Sequence, residues 1–273
     1  MATRDNAIVT GAAAGIGNAV AHKLASRGMN VLVADINEAG GQKLVDDLKR
    51  LYSVDSFFLR TDVSNEEDVK NMVKVAVEKW GRIHYACNNA GVGEKMEDNE
   101  DGVTAEQFDK MYALNQKSTW MCQKALCQHM REQEPRKVKL SPSDLEVEER
   151  GVIVNLSSVN GMVGLGLPGY SAAKAGIVSL TRTGAQFYGP HGIRINCISP
   201  GSIRTEFFAH WVTTLPPAQS KYVEEGIVNS TPLKRQGKPQ ELANVVSFLL
   251  SDDSTYMNGH NLVVDGGYTA VKF

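Results

Sequence analysis

The sequence predicts an α/β fold: a doubly wound parallel sheet of seven strands in one domain spanning 1–273. Three observations predict it. Short β-branched, apolar runs alternate with segments of helical periodicity from one end of the chain to the other, and strict β/α alternation implies a parallel sheet. The strand runs are apolar on both sides, as a sheet covered on both faces requires. At 273 residues the chain is long enough for one large core.

The elements follow in order. Ala7-Ile8-Val9-Thr10 is the first strand. The turn Gly11-Ala-Ala-Ala-Gly15-Ile16-Gly17 comes next, then a helix over 16–28 through Val20, Leu24 and Ala25, stopped by Gly28. Strand, glycine turn and helix present backbone N–H groups and a helix N-terminus to a pyrophosphate. The G-x-x-x-G-x-G spacing differs from the general G-x-G-x-x-G dinucleotide fingerprint, and a tight turn without a ligand is the plain alternative. The second strand, 30–35, ends in Asp35. An acid about twenty residues beyond such a turn is placed for the adenine ribose hydroxyls. Its competing role, capping the next helix, is one that Asn37 can fill. Further strands are expected near 56–60, 84–88, 151–156, 193–198 and 261–265. Helices are expected near 38–51, 65–80, 104–133, 170–188 and 239–251. Ligands bind beyond the carboxyl ends of such strands. Gly11, Asp35, Asp62, Asn89, Ser158 and Pro200 each just follow one.

Tyr170 and Lys174 stand four apart, on one face of the helix predicted over 170–188. A phenol ionises near pH 10. Bringing it to neutrality takes roughly 4 kcal/mol, which a nearby ammonium in a desolvated site can supply. The pair alone is an ordinary helix-surface pattern; its company decides.

That company resembles the short-chain dehydrogenase/reductase family along essentially the whole chain, with the motifs in order. Thr10-Gly11-x-x-x-Gly15-Ile16-Gly17 is similar to the family's cofactor turn, and Asp62-Val63 to its adenine-contacting pair. Asn88-Asn89-Ala90-Gly91 is similar to its central-strand motif, and Asn115 to its proton-relay asparagine. Asn155-Leu156-Ser157-Ser158 matches its serine motif, Tyr170-x-x-x-Lys174 its catalytic pair, and Pro200-Gly201-x-Ile203-x-Thr205 its nicotinamide-side loop.

The resemblance implies a Rossmann fold and an oxidoreductase that moves hydride between a nicotinamide cofactor and a secondary alcohol or ketone. Tyr170 is then the general acid or base, Lys174 lowers its pKa and holds the nicotinamide ribose, and Ser158 steadies the reacting oxygen. Asn115 holds a water linking Lys174 to solvent. The motif Ser158-x-x-Gly161 selects Ser158. The interval from Ser158 to Tyr170 is one residue shorter than the family usually has, which selects Ser157 instead. The alternatives to this reading are an NADPH-dependent carbonyl reductase and a dinucleotide-binding relative without redox activity. A complete Ser/Tyr/Lys/Asn set argues against the latter.

Asp35 favours NAD over NADP, because it would repel a 2′-phosphate. Neither Ala14 nor Ile36, Asn37 or Glu38 offers a compensating positive charge. The net charge of −2 gives no footprint for nucleic acid. No apolar stretch is long enough for a bilayer, and the first residues lack the apolar core of a signal peptide. Cys87, Cys122, Cys127 and Cys197 lack C-x-x-C spacing, and the six histidines lack ligand spacing. Reduced thiols, a cytoplasmic location and no catalytic metal are therefore expected. Family habit and apolar faces on 104–128 and 170–188 predict a homo-oligomer, a tetramer.

Two segments depart from a minimal family member. Residues 131–150 are mostly charged and read as a solvated surface insertion. Residues 202–236 read as a substrate-covering excursion, with Phe207, Phe208, Trp211, Leu215, Tyr222 and Val223 as candidate contacts. Together with Val159, Leu165, Leu167 and Pro168 they predict a mainly apolar small-molecule substrate.

Overall fold

The computed structural model describes residues 4–94, 100–165, 167–213, 215 and 217–270. Three β–α units open the chain: β1 (Asn6–Thr10), α1 (Gly15–Ser26), β2 (Asn30–Asp35), α2 (Glu38–Tyr52), β3 (Phe57–Arg60) and α3 (Glu66–Trp80). Then come β4 (Tyr85–Asn88), α4 (Ala105–Met111), α5 (Ser118–Glu132), a hairpin of β5 (Arg136–Lys139) and β6 (Glu146–Glu149), and β7 (Gly151–Leu156). The chain continues through α6 (Pro168–Tyr188), β8 (Ile193–Pro200), α7 (Glu206–Thr213), α8 (Pro217–Ser230), α9 (Pro239–Leu250) and β9 (Asn261–Val264).

The main sheet has the order β3-β2-β1-β4-β7-β8-β9, and every pairing in it is parallel. Alternate residues of each strand enter different cores. Ala7 and Val9 join Val31, Val33, Cys87 and Val154 under α1, α2 and α9. Ile8 joins Leu32, Ala86 and Ile153 under α3 and α5. This period of two is why the strands read as apolar throughout. The chain reverses its direction of winding between β1 and β4, which opens a crevice at their carboxyl ends.

Three sequence expectations are refined. The helix expected over 104–133 is interrupted: Tyr112–Lys117 is a π-helical stretch between α4 and α5, with buried Asn115 inside it. Asn115 Nδ2 donates to the Met111 carbonyl and Oδ1 accepts from Val92 N–H. A side chain inserted into the helical ladder is a physical cause of such a bulge.

Residues 131–150 are not merely a solvated excursion. The hairpin tip is exposed, Leu145 at 68 %, but Val138 and Glu149 are buried at its base. Glu149 accepts from Arg136 at 2.7 Å and from Arg194 of β8 at 2.8 Å. The excursion 202–236 carries two helices, α7 and α8. The expectations for Phe207, Trp211 and Tyr222 lie outside the described side chains. Among the described residues, no helix is long and apolar enough to cross a membrane.

Candidate active site

A cavity of about 880 Å³ runs along the carboxyl ends of the strands. The glycine turn after β1 bounds one end. Gly11 and Gly15 have φ of +62° and +57°, a region costly for any side chain. A Cβ on Gly17 would lie 2.3 Å from the Gly11 carbonyl oxygen, so the start of α1 can close on the turn only with glycine there. Ala14, at the N-cap of α1, makes no side-chain cap, and the helix has no acid in its first turn. Gly11, Gly15 and Ile16 line the cavity there. That end presents free amides and positive helix-dipole charge, the chemistry that receives a pyrophosphate.

Asp35 stands at the tip of β2 and lines the same end, beside Ile36, Asp62 and Val63. Its carboxylate accepts from the backbone of Ala13 and Asn37, both at 2.9 Å. Asn37 caps α2 through Gly40 N–H, so Asp35 is not needed as that helix's cap. Asp62 accepts from Ser64 N–H and Oγ, which fixes the turn after β3.

Three of the cofactor-side residues expected from the sequence lie outside the cavity lining and act behind it. Thr10 Oγ1 accepts from the N–H groups of Asn89 and Ala90, both at 3.1 Å, locking β1 to the loop after β4. Gly17 permits the turn just described. Thr205 Oγ1 accepts from Phe208 N–H at the start of α7. Asn89 lines the cavity, but its side chain is spent on the carbonyls of Thr10 and Gly11. Ala90, Gly91, Pro200, Gly201 and Ile203 all line it.

The chemical end gathers Asn115, Ser158, Tyr170 and Lys174. Lys174 is buried and donates to the Leu156 carbonyl at 2.9 Å. Its Nζ lies 5.4 Å from the Tyr170 ring centroid. Gly91 makes this cluster possible: a Cβ there would lie 2.6 Å from Asn115 Oδ1 and 3.5 Å from Lys174 Nζ. The two serines divide cleanly. Ser157 Oγ donates to the Lys174 carbonyl at 2.7 Å and so pins α6 to β7. Ser158 Oγ accepts from Asn160 N–H at 3.2 Å and hydrogen-bonds the Tyr170 hydroxyl.

Burial acts on both members of the pair. Burial pushes the Tyr170 phenol up, and the hydrogen bond from Ser158 offsets that only in part. Burial pushes the Lys174 ammonium down to about 8. Desolvation penalises the charged form of each group.

The substrate side is more apolar. Val159, Leu165 and Leu167 line it, as do Phe208 from α7 and Val223 and Ile227 from α8. Pro168 and Leu215 do not. Several residues of this cavity were missed in the sequence, among them four on its substrate side. Gly226, Ile227 and Ser230 follow Val223 at i+3, i+4 and i+7, a helical face that the sequence carried legibly. Glu94 also lines the cavity and is buried; a glutamate just past a glycine loop gives no sequence signal of burial.

The cavity, its amide-rich end and the Asp35 carboxylate fit a nicotinamide dinucleotide, and Ser158, Tyr170 and Lys174 line the same cavity. This is the architecture of a dinucleotide-dependent oxidoreductase. The comparisons with known proteins agree. The family model described as "Enoyl-(Acyl carrier protein) reductase" matches residues 11–269. Levodione reductase of Leifsonia aquatica is 35 % identical over 271 residues, covering 96 % of this chain and 93 % of that protein. Cyclohexanol dehydrogenase of an Acinetobacter species is 34 % identical over 265 residues, covering 97 % and 94 %. The crystal structure of levodione reductase superposes with a TM-score of 0.88 at 33 % identity, covering 98 % of each chain. The chain belongs to the short-chain dehydrogenase/reductase family. It is an oxidoreductase of CH–OH groups, moving hydride between a nicotinamide cofactor and the carbon of a secondary alcohol or ketone.

Proposed function

We propose that the protein interconverts an apolar, alicyclic secondary alcohol and its ketone, with NAD(H) as the preferred cofactor. One observation carries the reading: Ser158, Tyr170 and Lys174 meet at one end of a cavity whose other end is the glycine turn and Asp35. In this reading the cofactor supplies the hydride acceptor or donor. Tyr170 exchanges a proton with the substrate oxygen; the neutral phenol is the form that ketone reduction needs. Ser158 Oγ donates to the same oxygen and stabilises charge developing there. Lys174 orients the nicotinamide ribose and, with Asn115 and a water, passes the proton between Tyr170 and solvent.

The preference for NAD rests on Asp35, whose carboxylate lies at the adenosine end with no arginine or lysine lining that end among the described residues. The substrate class rests on the apolar wall. Lys174 is the one cation among the described lining residues, so nothing there clamps a phosphate or carboxylate. A relative named for cyclohexanol supports a ring-shaped substrate. Residues 202–236 act as the cover of that substrate and 131–150 as an appendage of the single domain. The exposed apolar residues Phe108 on α4, Tyr112 in the π-helical stretch and Trp120 on α5 support a homotetramer. Four buried, free cysteines support a reducing, cytoplasmic setting.

The test follows cofactor reduction with a panel of cyclic and short polar alcohols, in wild type and Tyr170→Phe. The expected result is higher kcat/KM on alicyclic alcohols, and a loss of about 10²–10⁴-fold or more in Tyr170→Phe with dinucleotide affinity retained. A Tyr170→Phe enzyme keeping a tenth of wild-type activity defeats the assignment.

A further inference from the structure

Glu94 is the one buried carboxylate among the described residues of the cavity wall, 3 % exposed, and nothing in the proposed chemistry uses it. Its two oxygens are aimed at the start of α6. Oε2 accepts from the N–H of Tyr170 at 2.8 Å, and Oε1 accepts from the N–H of Gly169 at 3.3 Å. The N-cap residue of this helix, Leu167, makes no side-chain cap, and the helix has no acid of its own in the first turn. Glu94 therefore does from another loop what a local cap does elsewhere. It satisfies orphan amides and sets negative charge against the positive end of a 21-residue helix.

A second observation is independent of these bonds. A Cβ on Gly169 would lie 3.0 Å from Glu94 Oε1 and 3.3 Å from two atoms of Met111. The residue before Tyr170 has to be small for the carboxylate to reach the backbone. Gly169, Glu94 and Tyr170 form one fitted unit. It joins the loop after β4, whose Val92 N–H holds Asn115 and whose Gly91 leaves room for it, to the first turn of α6.

We infer that Glu94 is a positioning residue for the general acid. By gripping the backbone of Tyr170 itself, it fixes the phenol relative to Ser158 and Lys174. This rests on Tyr170 being the proton-transfer group. Charge-assisted hydrogen bonds are short and strong, and a catalytic group displaced by about 1 Å can cost roughly 100-fold in rate.

Glu94→Ala, Glu94→Gln and Gly169→Ala are compared with wild type and Tyr170→Phe for kcat, substrate KM and dinucleotide Kd. Glu94→Ala is expected to lower kcat roughly 10- to 100-fold and to leave dinucleotide Kd within about twofold, because the cofactor end of the cavity is untouched. Glu94→Gln keeps an acceptor for the Tyr170 N–H, so it should recover kcat to within about fivefold of wild type. Gly169→Ala should lower kcat in the same direction, and it reads the same contact if Glu94→Ala does not fold. Wild-type kcat in Glu94→Ala or in Gly169→Ala overturns the inference. So does a loss that falls equally on dinucleotide binding and is not recovered in Glu94→Gln, since that marks a merely structural carboxylate. An active Tyr170→Phe enzyme defeats the proposed chemistry instead, which separates the two failures.

Discussion

The two ends of the sheet each bury a cation, and they treat it differently. At the amino ends of the strands Arg194 is 7 % exposed and its donors are all engaged. It pairs with Glu149 at 2.8 Å and donates to the Leu249, Ser251 and Met257 carbonyls and to Ser254 Oγ. At the carboxyl ends Lys174 is 4 % exposed and makes a single hydrogen bond, to the Leu156 carbonyl. Among the described residues no carboxylate pairs with it, and burial drives its ammonium down to about 8. A buried charge with all its partners is structural. A buried charge with one partner is held in readiness, at a cost in stability, for something that arrives later.

The largest expected effect breaks the functional end. Lys174→Met should remove activity by about 10²–10⁴-fold or more, while relieving the desolvation of a buried ammonium worth roughly 3 kcal/mol. The sign is fixed by linkage. The folded pKa lies below the unfolded value of 10.5, so the folded protein binds fewer protons between about 8 and 10.5. Wild-type stability therefore rises with pH across that window. Thermal melts should show Lys174→Met gaining most on wild type below about pH 8, with the gap closing toward 10.5. A gap independent of pH contradicts the assignment.

The structural end should respond in the opposite sense. Glu149→Gln leaves Arg194 buried without its counter-charge, which typically costs 3–5 kcal/mol for a broken buried pair. Urea unfolding should show that loss, with kcat/KM of the folded enzyme unchanged. Asp252 is half-exposed where it meets Arg136, so its replacement by alanine should cost under about 1 kcal/mol.

The smallest effect sharpens the cofactor side. Asp35→Ala should narrow the preference for NAD over NADP by roughly tenfold, the scale of one charged hydrogen bond, read as the ratio of kcat/KM values. Equal discrimination in both enzymes removes Asp35 from that role.

These contrasts mark how far the sequence reaches. The glycine turn, Asp35, the seven strands of the main sheet and the Tyr170/Lys174 pair were legible because each depends on neighbours in sequence. A positive φ calls for glycine, a strand alternates with period two, and residues four apart share a helix face. The choice between Ser157 and Ser158 was not legible, since both sit at one strand end and motif and spacing disagreed. Only the turn of Ser157 Oγ onto the Lys174 carbonyl separates their environments.

Composition likewise made 131–150 a solvated insertion, because charge density reports average exposure and not pairing. Arg194, far along the chain, makes Glu149 a buried partner. What the sequence determined by itself is the fold class and the candidates for the reacting groups. What only the tertiary structure decided is their burial and their aim. Burial, unlike periodicity, is the sum of contacts from remote segments. It raises the Tyr170 phenol and depresses the Lys174 ammonium, and the fold brings Glu94 from the loop after β4 to the backbone of Tyr170.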